Sequence, residues 1–346
     1  MAFEKFDRSR ILQGPLGERK NKVRIAESFV RTDAPDFEIA STQKEALEAV
    51  ARRILDARSG GRSVMLTFGA HSIKNGLGPL MVEYLRRGFL THVATNGAGI
   101  IHDWEFAFLG QSSESVRDNL PLGRFGTWEE TGFYLNVAIA AGAYQGLGYG
   151  AAVGKAICDE GIMIPSVEEL FVAVSSSSDL RRAASALDFA EVIRRGSLEP
   201  GWLPMKVPYA KYSLQAGAYA LGTASTDHPM FGHDIIYTHH LNCGGAIAQA
   251  AEYDYRTFLR SFSGLDGGGV YLSLGSAVMS PMLFSKACAA MAPGFSGAHV
   301  CVVDIGEVAK MPLFSQGSPA SLEFLQMDNR AFLLNLYHVL IEMSGK

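Results

Sequence analysis

Cysteine is scarce, and its placement excludes more than its number does. The 346-residue chain carries four, Cys158, Cys243, Cys288 and Cys301, widely spaced and with no CxxC pair. Neither a zinc ribbon nor a disulfide framework is indicated, and a reducing cytoplasm is the expected compartment. Charge of one sign is equally thin: the formal net charge is −4 and no run of five or six like charges occurs. That removes the basic footprint of a nucleic-acid binder. Long apolar runs are missing too, because glycine or a charge interrupts each well short of a membrane span, and the opening MAFEKFDRSR has no apolar core of a leader. Nucleic acid and membrane are therefore not expected as partners. No internal repeat is visible.

What the chain has is enough apolar material for a large core, 48% hydrophobic against 19% charged. Residues 1–40 are polar and basic without periodicity. They read as an arm lying on a neighbour or on the domain surface, with a disordered tail as the equal alternative. Residues 41–346 read as a single domain. From Thr42 to Arg58 the positions Ala46, Leu47, Val50, Ile54 and Leu55 repeat at three and four, an amphipathic helix. Ser63–Phe68 and Thr91–Thr95 are short apolar runs flanking the helical spacing of Gly78–Arg87, which makes a β-α-β unit. Further helical stretches run from about Trp128 to Leu147 and over Ser166–Arg195, and buried strands are expected at Asp234–Tyr237, Gly269–Leu274 and Val300–Asp304. Strands alternating with helices predict an α/β fold: a doubly wound parallel sheet, Rossmann-like, with helices on both faces.

In such a fold the loops after the strands share one edge of the sheet, where ligands bind. Two of them are chemically suggestive. Thr95-Asn96-Gly97-Ala98-Gly99 would let backbone N–H groups approach a phosphate, and the loop Gly69–Gly76, with His71, Ser72, Lys74, Asn75 and Gly76, holds donors for pyrophosphate or ribose. Either alone is an ordinary tight turn about as often as a binding loop. A third glycine turn, Gly275-Ser276-Ala277, follows a strand, and Asp304 ends the next one where it could grip a ribose hydroxyl. Together these predict a bound dinucleotide.

The order of these pieces, with Val82-Glu83-Tyr84-Leu85, Thr95–Asp103, Arg124-Phe125-Gly126, Asp227…Gly232-His233-Asp234, Gly275–Val278 and a final helix from about Asp328, resembles the deoxyhypusine synthase family over roughly residues 60–340. That resemblance implies NAD as cofactor, a homotetramer with shared sites, and His71, Asn75, Thr95, Asn96, Asp227, Gly275 and Ser276 near the cofactor. It also implies Asp234 as an amine-binding carboxylate and a small amine, such as a polyamine, as substrate. Asp328 is counted with the cofactor shell. The family's lysine-bearing signature is absent: the corresponding stretch reads Glu307-Val308-Ala309-Lys310-Met311-Pro312, and Val278-Met279-Ser280-Pro281 lacks a family histidine.

The expected activity is therefore hydride transfer on a small amine- or hydroxyl-bearing substrate with NAD recycled, and not modification of a protein lysine. Aminobutyl transfer between polyamines and a catalytically silent dinucleotide-binding protein stay open beside it. Candidate chemistry rests on His102, Asp103 and Glu105, where a tuned imidazole could move a proton, against a plain helix cap at Asp103 with equal weight. Asp234 is the candidate substrate anchor. Lys74 is a candidate for imine formation, though phosphate pairing suits it better. The histidines 228, 233, 239 and 240 with Asp234 lack a metal-ligand spacing, and no metal is expected.

Overall fold

The computed structural model describes residues 3–292, 295–306, 312–317 and 319–345. Ten strands are present among them: β1 Asn21–Arg24, β2 Val64–Phe68, β3 His92–Thr95, β4 Gln111–Glu114, β5 Gly161–Ile164, β6 Gly201–Pro204, β7 Ala224–Asp227, β8 Val270–Leu274, β9 His299–Asp304 and β10 Ser321–Gln326. Six form one all-parallel sheet in the order β10-β9-β8-β2-β3-β7. Numbering only these six along the chain gives 6-5-4-1-2-3, the strand order of doubly wound dinucleotide-binding folds, with its switch point between β2 and β8. The expected fold class is therefore what the chain adopts.

Burial explains the two-sided winding. Every residue of β2 is buried, and its side chains alternate between two cores as the pleat requires. Val64, Leu66 and Phe68 join Leu47, Val50, Ile54, Leu80, Phe332 and Leu336 on the face covered by helices Ser41–Ser59, Gly78–Arg86 and Asn329–Ser344. Met65 turns to the opposite face, with Phe258, Phe262, Tyr271 and Phe284, beneath helices Gly244–Ser263 and Met279–Met291. A third core lies in the long crossover between β3 and β7, where helices Gly97–Leu109, Glu129–Tyr144, Tyr149–Cys158 and Leu180–Gly196 pack around Trp104, Leu135, Tyr149, Val153 and Phe189.

Several expectations shift. Ser166–Arg195 is two helices, Val167–Ser176 and Leu180–Gly196, because Ser177 leaves the helical conformation and Asp179 caps the second. Asp234–Tyr237 is not a strand: Ile235–Thr238 is a single 3₁₀ turn, and the sheet strand of this region is β7, just before it. The N-terminal segment is ordered against the chain itself. β1 pairs antiparallel with β4, and Arg19, 6% exposed, is drawn into the interior.

Candidate functional site

The three glycine turns meet at the carboxyl edge of the sheet. Gly69 follows β2, and its N–H donates to the carbonyl of Leu274 at 3.0 Å. A Cβ at residue 69 would collide with the carbonyl oxygen of Gly275, so the close approach of β2 and β8 requires glycine there. Gly275 holds φ at +56°, the left-handed region that favours glycine. Beside it the Asn329 amide, at the start of the last helix, donates to Ser72 at 3.2 Å, and the Ser276 hydroxyl accepts from the Ser280 N–H at 3.2 Å. Ala277 is exposed next to it. Asp304, at the end of β9, accepts from the Gly306 N–H at 3.1 Å. The loop after β2 forms the short helix Ala70–Lys74, ending at Asn75, and Gly76 packs on the backbone of Ser28 and Phe29.

This side of the edge is cationic. Lys74 is half-buried, and among the described residues no carboxylate pairs with it. Burial and the nearby Lys22 push its ammonium below the usual range. His71 is also pushed down, by burial first and then by Lys74 and His102, with Asp304 pulling the other way. Lys74 and Lys22 thus bring positive charge to this part of the edge, and Asp304 acts on the neighbouring His71.

Across β3 the sign reverses. Asn96 caps helix Gly97–Leu109, its side chain accepting from Gly99 N–H at 3.1 Å. Thr95 donates to the Phe68 carbonyl at 3.1 Å, and a Cβ at Gly99 would collide with the Thr95 hydroxyl. Ala98 is half-buried between them. The expected open phosphate cradle at Gly97 is not there. The space a Cβ would take is filled by the carboxyl group of Asp234, whose negative end lies against the positive end of the helix. Asp227 ends β7 directly beside Thr95, and the His228 N–H that follows is spent on the Thr95 carbonyl at 2.9 Å.

Asp227 is 0% exposed, yet neither of its carboxylate oxygens has a hydrogen-bond partner. Asp234 Oδ2 and the hydroxyls of Tyr149 and Tyr237 are unpartnered as well. Burial, then Asp234 and Asp254, drive the Asp227 carboxyl well above the carboxylate range. Burial pushes Asp234 up to about 6. Asp254, up to about 7, differs in being satisfied: its Oδ2 accepts from the Gly150 N–H at 3.1 Å and the Asp227 N–H at 2.8 Å. It clamps the end of β7 to the start of helix Tyr149–Cys158. Tyr149, Tyr237 and Asp254 carry no local motif, and their sequence positions gave no signal.

The remaining candidates are engaged in holding the chain together. Asp103 Oδ1 accepts from the Leu214 N–H at 2.8 Å, and Oδ2 from the Ser213 hydroxyl at 2.6 Å and the Gln215 N–H at 3.0 Å, capping helix Leu214–Ala220. Burial still lifts its carboxyl to about 6. Glu105 takes a two-pronged contact from Arg19 at 2.6 and 2.7 Å, plus the hydroxyls of Ser112 and Thr131. Despite burial, the Arg19 guanidinium holds it down at about 2. His102 is half-buried; its Nδ1 lies 2.7 Å from Ser112 Oγ, which in turn donates to Glu105. Asp328 caps the last helix and pairs with Arg330 at 3.0 Å. Lys310 and its neighbours lie outside the described residues.

No family model and no curated protein matches the chain. Similar solved structures include AgrE bound to L-arginine, at 14% identity and a TM-score of 0.45 over 90% of this chain. A putative LOR/SDH protein from Methanococcus maripaludis S2 matches at 14% identity and 0.47 over 92% of this chain and 73% of that one. A ternary complex of AgrE with ornithine and NAD+ matches at 15% identity and 0.45 over 89% of this chain. The chain spans only 35% of AgrE's length. These neighbours overturn the resemblance to deoxyhypusine synthase read from the glycine turns. Short loops at the carboxyl edge are what any sheet of this strand order needs, and they do not distinguish one family from another. The polyamine substrate and the homotetramer rested on that resemblance alone and fall with it.

Proposed function

We propose that the chain binds a nicotinamide dinucleotide at the switch point and acts as an oxidoreductase on a small amine- or hydroxyl-bearing substrate. The observation that carries this reading is the division of the carboxyl edge, among the described residues, into a half at His71 and Lys74 where no carboxylate pairs with the lysine, and an acidic half at Asp227 and Asp234 where no lysine or arginine pairs with either carboxylate. The first half fits a pyrophosphate: Lys74, His71 and Asn75 supply donors, and the Gly275-Ser276-Ala277 turn supplies backbone that can be approached closely. When bound, the dinucleotide would accept or return a hydride. Ornithine together with NAD+ in one structural neighbour supports the same pairing of ligands here.

In this scheme His102 is the proton carrier. Ser112 and Glu105 fix its Nδ1 side, leaving Nε2, which has no partner among the described residues, to exchange a proton as hydride moves. Asp103 and Glu105 become positioning residues. A silent dinucleotide-binding protein is the second reading, favoured by the full engagement of both those carboxylates.

Fluorescence titration with NADH tests the first step. Saturable binding is expected, weakened roughly 10- to 100-fold by Lys74→Ala through loss of a charge-assisted contact. No binding by the wild-type chain would overturn the proposal. Reduction of NAD+ in the presence of L-ornithine, L-arginine or simple amino alcohols, lost in His102→Gln, then separates an enzyme from the silent reading.

A further inference from the structure

We propose that Asp227, Asp234, Tyr149 and Tyr237 form a socket for the primary ammonium group of an alkylamine. This deepens the reading above by naming the part of the substrate the protein holds, and it rests on that reading only for what happens next.

Four of the carboxylate and hydroxyl groups facing one another there have atoms with no partner: both oxygens of Asp227, Oδ2 of Asp234, and the two tyrosine hydroxyls. Polar atoms this deep are normally satisfied, and a carboxylate stripped of water without a partner is costly enough that it takes up a proton or a cation. Asp227 and Tyr149 are each 0% exposed and make the floor, while Asp234 and Tyr237 are half-buried and make the mouth.

The chemistry of the occupant follows from the donors it must bring. Every group in the socket can accept, and an –NH₃⁺ group offers three donors and one positive charge. The Phe231 ring lies 5.4 Å from that of Tyr237, giving the mouth an apolar wall suited to methylenes. A divalent metal needs its ligand atoms gathered closely, and among the described residues the set so gathered is Asp188, Glu191 and Cys243, on other elements. The groups facing Asp227 are Asp234, Asp254, Tyr149 and Tyr237, all acidic or neutral. His233 acts on Asp234 and draws its carboxyl down, while among the described residues no lysine or arginine pairs with any of the four. Because burial and these neighbours raise the Asp227 carboxyl and so favour its protonated form, an arriving ammonium displaces a proton.

Calorimetric titration of the full chain with n-butylamine, without NAD, tests the socket, run in phosphate and in HEPES, neither of them a primary amine, to count protons. Saturable binding is expected, with an enthalpy that differs between the buffers because a proton leaves. Asp227→Asn and Tyr149→Phe should each lose at least tenfold in affinity, the second being a near-isosteric change that keeps the fold. n-Butanol of the same shape should not bind. Equal binding of butanol, binding of butylamine unaffected by either variant, or equal competition by potassium chloride would overturn the socket. NADH titration of the same samples is independent: nucleotide binding without amine binding sinks the socket alone, and amine binding without nucleotide binding sinks the oxidoreductase alone.

Discussion

Two pairs of carboxylates around helix Gly97–Leu109 behave in opposite ways. Asp103 and Glu105, on the helix itself, receive seven hydrogen bonds between them from Arg19, Thr131 and Ser112 and from the turn at Ser213–Gln215. Asp227 and Asp234, on the neighbouring strand and loop, leave three of their oxygens without any. The first pair fastens the N-terminal segment and the long crossover to the sheet. The second contributes nothing comparable to the fold, and a group that costs stability while satisfying no neighbour is the mark of a site kept for a ligand.

The contrast breaks most visibly if Glu105 is neutralised. Glu105→Gln strands the Arg19 guanidinium in the interior and should cost about 3–5 kcal/mol, measured by urea denaturation. A loss below about 1 kcal/mol would mean that the pair is no more structural than a surface one.

Smaller, and bearing on the site, is Gly69→Ala. The added methyl meets the backbone of Gly275 and should cost about 1–3 kcal/mol while weakening NADH binding. Intact affinity would show that the nucleotide does not sit where β2 and β8 diverge.

The opposite sign is expected for Asp227→Asn, which should stabilise the ligand-free chain by about 1–2 kcal/mol at pH 8 by removing a buried ionisable group. The pH dependence follows. Asp234, with its carboxyl raised to about 6, and Asp227, also raised, bind protons more tightly folded than unfolded. Their stabilising contribution is complete below about pH 4, the unfolded value, and is lost as pH rises through 6 and beyond. Glu105, held at about 2, contributes above its unfolded value near 4.5, and that contribution is lost as pH falls through 2. Asp103 and Asp254, also raised, act in the same direction, so thermal melts from pH 4 to 8 should decline in the wild type and decline less steeply in Asp227→Asn. Parallel curves would place the titration elsewhere.

The strands and loops of the sheet were legible because a fully buried parallel strand is a short apolar run between turn residues, as at Val64–Phe68 and Val270–Leu274. β7 was not, since Ala224-Ser225-Thr226-Asp227 is polar in sequence. It is a strand because His92, Thr226 and His228 satisfy one another inside, with His92 Nε2 at 2.9 Å and His228 Nε2 at 3.1 Å from the Thr226 hydroxyl. Asp234 was singled out through the resemblance that did not hold, and its grouping with Asp227, Tyr149 and Tyr237 joins residues from two separate stretches and has no local pattern. Asp103 and Glu105 looked like catalysts because a His–acid cluster beside a glycine loop carries the same letters whether it moves protons or caps a helix.

The adjacency of β2 and β8 bears on how the molecule comes into being. Val64 pairs with Val270 and Phe68 with Leu274, partners roughly two hundred residues apart, a separation at which closure is entropically slow. Until the later strand is made, β2 offers a mostly apolar, hydrogen-bond-hungry edge to whatever is nearby. Of the pairings in the central sheet, the one at the crevice joins the partners farthest apart in the chain, and the growing chain is most exposed to aggregation at the strand that waits longest for its neighbour.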